Sequence, residues 1–255
     1  MEHMLLRRHK HMLGAHTFEV RTALTMPNGS IVPNRLVASV QKCFQKKHAS
    51  YKIHGPVPCI SATKADRIGV LKSNMRASEY TLHDGDEQRQ LATITHKYKM
   101  KFAPVETSCT ITFWHAEQNK GANYEIRKVM PIWDPAMHAW KTDFSAKQHA
   151  FPVAPSSKNV QYEYEDEVVM IFHRVKAGDR DSFSLEYKWP LNGVQALALA
   201  LLAFDANVLD DKGIQTFDPR IAERQASAAA RAEGHATEAT EKEVKAPPSP
   251  DGFAP

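Results

Sequence analysis

Residues 191–209 read LNGVQALALALLAFDANVL, and the reading of this stretch decides the fold. Alanine and leucine dominate it, and both are strong helix formers. Leu197, Leu199, Leu201, Leu202 and Phe204 point in several directions around a helical wheel. A helix that is apolar most of the way round is buried on most sides. Asn192, Gln195, Asp205 and Asn207 interrupt the stretch toward its ends. The clean centre from Ala196 to Phe204 is far too short to cross a bilayer, which takes about 20 residues. A two-layer arrangement would leave one polar face, and this centre has none. Either strands enclose the helix, or a sheet and a partner subunit sandwich it. The enclosing strands are the expectation, with residues 193–204 nearly inaccessible to solvent.

The chain upstream reads as strands and turns. Phe18–Thr25 and Arg35–Phe44 are β-prone runs flanking MPNGSIVPN, whose Asn28-Gly29 pair is a hairpin signal. Glu79–His83 and Leu91–His96 flank a second turn, His83-Asp84-Gly85-Asp86. Cys109–Trp114 (CTITFW) alternates threonine with bulky residues, and Val168–Val175 and Ser182–Trp189 lie on either side of the turn Lys176–Asp181. Short strands at regular spacing indicate a sandwich or a barrel. Leu5-Leu6 fits a first barrel strand or an adaptor helix equally well.

Composition limits the setting. From about Phe217 the chain is rich in Ala, Glu, Lys and Pro and nearly free of large apolar residues. Such a segment cannot bury enough surface to offset its ordering entropy. The expected organisation is a folded domain over residues 1–212 and a disordered tail over 213–255. Cys43, Cys59 and Cys109 are too few and too scattered for a disulfide framework, which suits a reducing, cytoplasmic or nuclear setting. The start, MEHMLLRRHKHMLG, carries charges where a secretory leader would be apolar. The formal charge of +4 hides an asymmetry: residues 1–76 hold thirteen Lys and Arg against Glu2, Glu19 and Asp66, a net of +10. A basic first third suits a surface that meets phosphate, in nucleic acid or in lipid headgroups.

Five segments resemble the tubby-like family. SSKNVQ (Ser156–Gln161) is similar to the family's A-S-V-K-N-F-Q, and ALALALLAFDANV to its closing A-F-A-I-A-L-S-S-F-D. Ile68-Gly69-Val70-Leu71-Lys72-Ser73-Asn74 is similar to L-G-K-L-R-S-N. MPIWDPAMHAWKTDF resembles S-P-V-W-N-x-x-x-x-x-Y-x-L-N-F, with a strand expected to end at Asp143-Phe144. SFSLEYKWPLNGVQA resembles V-F-T-M-D-Y-R-Y-P-L-x-x-x-Q-A. The pieces fall in the family's order between about Gln41 and Leu209. The resemblance implies a mainly β (α+β) fold, a closed antiparallel barrel of about twelve strands around a central hydrophobic C-terminal helix. It also implies a non-enzymatic, phosphoinositide-binding module without a cofactor. The implied ligand is phosphatidylinositol 4,5-bisphosphate or another anionic headgroup, met at the plasma membrane from the cytoplasm. Family members also act as adaptors that move membrane cargo into cilia, and nuclear roles have been proposed for some.

The implied headgroup site maps onto this sequence position by position. Binding several phosphate charges takes Lys or Arg on a rigid element. The family's strand L-G-K-L-R-S-N places a Lys and an Arg on one side, since alternate residues of a strand share a face. Here Val70 stands at the Lys position and Lys72 at the Arg position. An upstream polar position falls on Ser50, and the basic run before it on Lys46 and Lys47. A further family Arg falls near Glu106 and Thr107, where Lys97, Lys99 and Lys101 on the approach are the available substitutes. The candidate headgroup residues are therefore Lys72, Ser50, Lys46, Lys47 and Lys101.

Other chemistries fit poorly. His9, His11 and His16 lack a carboxylate or cysteine at metal-ligand spacing. Cys59 has no neighbouring base with a third group to orient it, and no glycine-rich nucleotide loop is present. Nucleic acid is the rival partner class. Against it, only Phe44 and Tyr51 interleave the basic run Lys42–Lys52, which makes a poor stacking platform. A protein scaffold that recruits adaptors or cargo is the third class.

Overall fold

The computed structural model describes residues 1–11, 16–25, 31–45, 48–75, 77–97, 106–115, 120–134, 139–144, 151–176 and 180–204. The strands are β1 (Glu2–Lys10), β2 (His16–Thr25), β3 (Ile31–Gln45), β4 (His48–His54), β5 (Arg67–Ser73), β6 (Glu79–Asp84), β7 (Gln90–Lys97) and β8 (Glu106–His115). They continue with β9 (Lys120–Lys128), β10 (Ile132–Asp134), β11 (Ala139–Lys141), β12 (Val153–Ala154), β13 (Val160–Tyr164), β14 (Glu167–Val175) and β15 (Ser182–Tyr187). One helix, α1 (Gly193–Leu202), follows.

From β1 to β9 each strand pairs antiparallel with the next. The ring then continues through β13, β14 and β15, and β15 pairs with β1. Twelve strands thus close on themselves, which removes the exposed sheet edges that otherwise invite aggregation. The short β12 prolongs the β13 edge along β14, and β10 with β11 forms a separate hairpin pairing Trp133 with Trp140.

Every strand of the ring sends at least one side chain into a single core. Leu6, Phe18, Val40, Tyr51, Leu71 and Ile94 are among those essentially without solvent contact. The helix fills the centre: Gln195 through Leu202 are all buried. That is the enclosed, all-round apolar helix the sequence called for. An α-helix with its side chains is about 10–12 Å across, so a ring of this strand number holds one helix and little else. The helix starts where Asn192 caps it: the Asn192 side chain accepts from Gln195 N at 2.9 Å, and Gln195 Oε1 accepts from Asn192 N at 3.0 Å. Gln195 Nε2 then donates to Leu91 O at 3.1 Å, so this buried amide is satisfied and ties the helix to β7. Gly69 lets the helix approach β5, because a Cβ there would lie 2.9 Å from Val194 Cγ1. At the far end Phe204 packs against Phe18 and Phe183, each with ring centroids 5.0 Å away.

A polar clamp braces the β1–β15 seam. Arg8 Nε donates to Asp181 Oδ1 at 2.8 Å, Lys10 Nζ stands 3.1 Å from Asp181 Oδ2, and the Arg8 guanidinium lies 5.1 Å over the Phe204 ring. Burial works against the Asp181 charge, but the hydrogen bonds from Arg8 and Lys10 outweigh it and hold the carboxyl below its ordinary value.

Several expectations take their final form here. Leu5-Leu6 lies in a strand, so the N-terminal segment closes the barrel. The strand expected to end at Asp143-Phe144 stops at Lys141. Phe144 instead packs its ring against that of His173, at 5.9 Å, on the outside of β14. The Asn28-Gly29 turn and the tail over 213–255 lie outside the described residues. Among the described residues no helix is long and apolar enough to cross a membrane.

Candidate functional site

Two of the five candidate residues, Ser50 and Lys72, come together on the outer face of β4, β5 and β6. Along β5, Gly69, Leu71 and Ser73 turn inward, so Ile68, Val70 and Lys72 turn outward. On β4, Tyr51 and Ile53 are core, which sends Ser50 and Lys52 outward; on β6, Tyr80 and Leu82 are core, which sends Thr81 and His83 outward. The antiparallel register sets these side chains in two rows. Ser50, Lys72 and Thr81 stand side by side, and Lys52, Val70 and His83 form the next row. The predicted pair Ser50 and Lys72 is therefore directly opposed across neighbouring strands, where Cβ atoms lie about 4.5–5.5 Å apart.

Two residues outside the prediction complete the cluster. Arg67 opens β5 with a side chain only 11% exposed, and Glu87 reaches in from the β6–β7 turn. Arg67 Nη1 donates to Glu87 Oε1 at 3.1 Å, while Lys72 Nζ donates to Glu87 Oε2. The hydrogen bond from Lys72 and the charges of Lys72, Arg67 and His83 keep the Glu87 carboxyl below its ordinary value, against a smaller opposing effect of burial. His54 reports the positive potential from the other side. Burial, then Arg67 and Lys52, push its pKa down from that of a free imidazole, so it is neutral at pH 7. The Nε of Arg67 and the Nδ1 of His83 are buried without a hydrogen-bond partner.

The turn that delivers Glu87 is tightly built. Asp84 Oδ1 accepts from Gln88 N at 2.9 Å and Arg89 N at 3.3 Å, and Asp84 Oδ2 accepts from Arg89 Nε at 3.0 Å. A Cβ on Gly85 would fall 1.9 Å from the Arg67 carbonyl oxygen, so only glycine lets the turn lie against the start of β5. Glu87 itself sits at φ 61, in the left-handed region.

The sequence profile of the Tub family matches residues 97–206. Mouse tubby-related protein 4 is 31% identical over 83 residues, 32% of this chain and 5% of that protein. Mouse tubby-related protein 1 is 22% identical over 207 residues, 66% of this chain and 37% of that protein. Protein king tubby of Drosophila sechellia is 26% identical over 84 residues, 33% of this chain and 18% of that protein. These similarities support a divergent tubby-like member, with the family profile covering under half of the chain. The chain spans well under half the length of each of these relatives.

The profile match begins at Lys97, after β4, β5 and β6 have ended. Of the predicted ligands, Lys72 and Ser50 come together, with Lys72 42% exposed and Ser50 buried. Lys46, Lys47 and Lys101 lie outside the described residues. Val70 keeps the outward position of the family's Lys but is only 2% exposed. Lys42, counted within the basic run, faces the other way. It stands opposite Tyr51 in register, and its Nζ lies 5.2 Å from the centre of that ring, inside the barrel wall. Arg67 carried a legible signal, a base immediately before the L-G-K-L-R-S-N-like segment. Glu87 carried none, because only the fold brings the β6–β7 turn back onto β5.

Proposed function

We propose that this tubby-like domain binds polyanionic headgroups, in the first place those of phosphoinositides, on the outer face of β4, β5 and β6. The observation that carries the reading is the opposition of Ser50 and Lys72 on rigid strands, with Lys52 and Arg67 beside them. A strand fixes the backbone beneath each cation, and charge-assisted contacts to phosphate are the strong class of hydrogen bond. Such a module attaches peripherally, at the cytoplasmic face of the plasma membrane, and leaves the rest of the barrel surface to recruit cargo or adaptor proteins. Ciliary trafficking is the setting in which other tubby proteins are placed, and the same reading extends to this chain. Each basic residue near an anionic leaflet adds about 1 kcal/mol, so the basic first third supports attachment beyond the site itself.

The test is co-sedimentation of the full chain with liposomes carrying a panel of phosphoinositides, at two salt concentrations. A headgroup preference that survives salt supports the site, since a formed pocket is screened less than a diffuse patch. Lys72→Ala should weaken bisphosphate binding by about tenfold, the scale of one charge-assisted contact. Uniform, salt-sensitive binding to every anionic liposome would leave only a basic patch. Tighter binding to duplex DNA than to any liposome would replace this reading with the nucleic-acid one.

A further inference from the structure

Glu87 places a carboxylate where the proposed site needs its cations free. Its two oxygens engage Arg67 and Lys72 simultaneously, and Lys72 is the cation on which the headgroup reading rests. We propose that Glu87 is a tethered competitor anion that makes this face selective for polyanionic over monoanionic headgroups. The inference rests on the reading of this face as the headgroup site and adds the residue that sets its selectivity.

Charge and geometry carry the argument. With Glu87 in place, Lys52, Arg67 and Lys72 present three positive charges against one carboxylate. A headgroup with a single charge can only exchange one anion for another, with no net gain in attraction. A headgroup bearing two phosphomonoesters displaces the carboxylate with one and reaches the remaining cations with the other. The competitor is always present, because a short tether acts as a millimolar effective concentration.

The fold looks made for release of the side chain without release of the turn. The Asp84 carboxylate pins the backbone of Gln88 and Arg89, and Glu87 N donates to Asp84 O at 3.0 Å. Glu87 can therefore leave Arg67 and Lys72 by rotating its own side chain, while the backbone stays seated against β5. The nearby Asp66 does not compete for the same cations. Its carboxylate accepts from Thr63 N and Oγ1 at 2.8 and 2.7 Å.

The experiment compares the natural protein with Glu87→Gln, Lys72→Ala and the double variant on two sets of phosphatidylcholine vesicles. One set is doped with phosphatidylserine and the other with phosphatidylinositol 4,5-bisphosphate, at equal total negative charge. Glu87→Gln should raise affinity for the phosphatidylserine vesicles by about tenfold and for the bisphosphate vesicles by about threefold or less, since each lost competitor contact is of charge-assisted strength. Selectivity then narrows, and adding Lys72→Ala should remove the gain. If Lys72→Ala weakens binding while Glu87→Gln changes neither affinity, or changes both equally, the site stands and the competitor role falls. If Lys72→Ala changes nothing in either background, the site itself is elsewhere and the inference falls with it.

Discussion

The interior of the barrel and the outer face of β4–β6 are built from the same strands, yet they answer to different physical constraints. Inside, Tyr51, Ile53, Leu71, Tyr80 and Leu82 enclose a helix that must fit a fixed volume. Close-packed interiors feel a change of even one methylene, so the apolar pattern there is tightly constrained. Outside, Lys72 and Glu87 are part-exposed and pair with each other, and Glu87 also pairs with Arg67. Exposed ion pairs are worth about 0–1 kcal/mol, so their charges can be exchanged at little cost to folding. Fold and ligand preference can therefore drift independently on one set of strands, because alternate residues answer to different constraints.

The interior should be the intolerant side by a wide margin. Leu199 is 1% exposed and belongs to the core cluster. Leu199→Asp puts an unpaired carboxylate at the centre of the ring, which costs several kcal/mol against a total stability of about 5–15. The expected outcome is loss of soluble, β-rich protein, read by circular dichroism. A folded Leu199→Asp variant would mean that the interior is wet or loosely packed, and the contrast with the outer face would collapse.

The same contrast explains what was legible in the sequence. The helix was readable because Leu197 through Phe204 are apolar in every direction, and only enclosure satisfies such a segment. Strands that alternate, such as Cys109–Trp114, were readable by their period. Strand β14 is buried almost throughout, and its run of apolar residues identified it as a strand without showing which face was core. The pairing of Ser50 with Lys72 was half legible: the resemblance placed each residue, but their opposition depends on the register of β4 on β5. Glu87 lay fifteen residues from Lys72 in an ordinary turn, and nothing local to either residue links them. The +10 of the first third also overstated the outer charge. Arg8 and Lys10 serve Asp181, Arg21 serves Glu19, and Lys42 faces inward.

The β1–β15 seam lies between the two extremes, since its charges are structural and partly buried. Arg8→Ala removes the hydrogen bonds to Asp181 and the cation over Phe204, and it leaves Lys10 as the remaining partner. The expected cost is about 1–3 kcal/mol, or several degrees in a domain of this size. The pH dependence has a fixed sign. Asp181 is held below the ordinary carboxylate value in the folded state, so the unfolded chain binds its proton first. The stability from this group is present above about pH 4 and is lost as pH falls through the folded value. Thermal midpoints of the natural protein and Arg8→Ala should therefore differ at pH 7 and converge as pH falls below the ordinary carboxylate range. A constant difference across that range would assign the effect to Phe204 packing alone.

The smallest effect on folding should come from the outer face, at Val70. This residue turns outward but is only 2% exposed, with Lys52 and His83 opposite it on the neighbouring strands. Val70→Lys restores the cation of the tubby pattern, and a lysine can run its stem along the sheet and lift its ammonium to solvent. Its nearest cross-strand neighbour is then a like charge, which destabilises by about 0.2–1 kcal/mol. The midpoint should drop by a few degrees at most. The same repulsion is relieved when a polyanion binds, so affinity for a soluble inositol bisphosphate should rise by about tenfold. Calorimetric titration and a melting curve on one preparation read both changes together. A large loss of stability would show that the outer face is packed as strictly as the interior. An unchanged affinity would show that the β5 surface does not meet the headgroup, and the cations of β4–β6 would then serve the Glu87 turn alone.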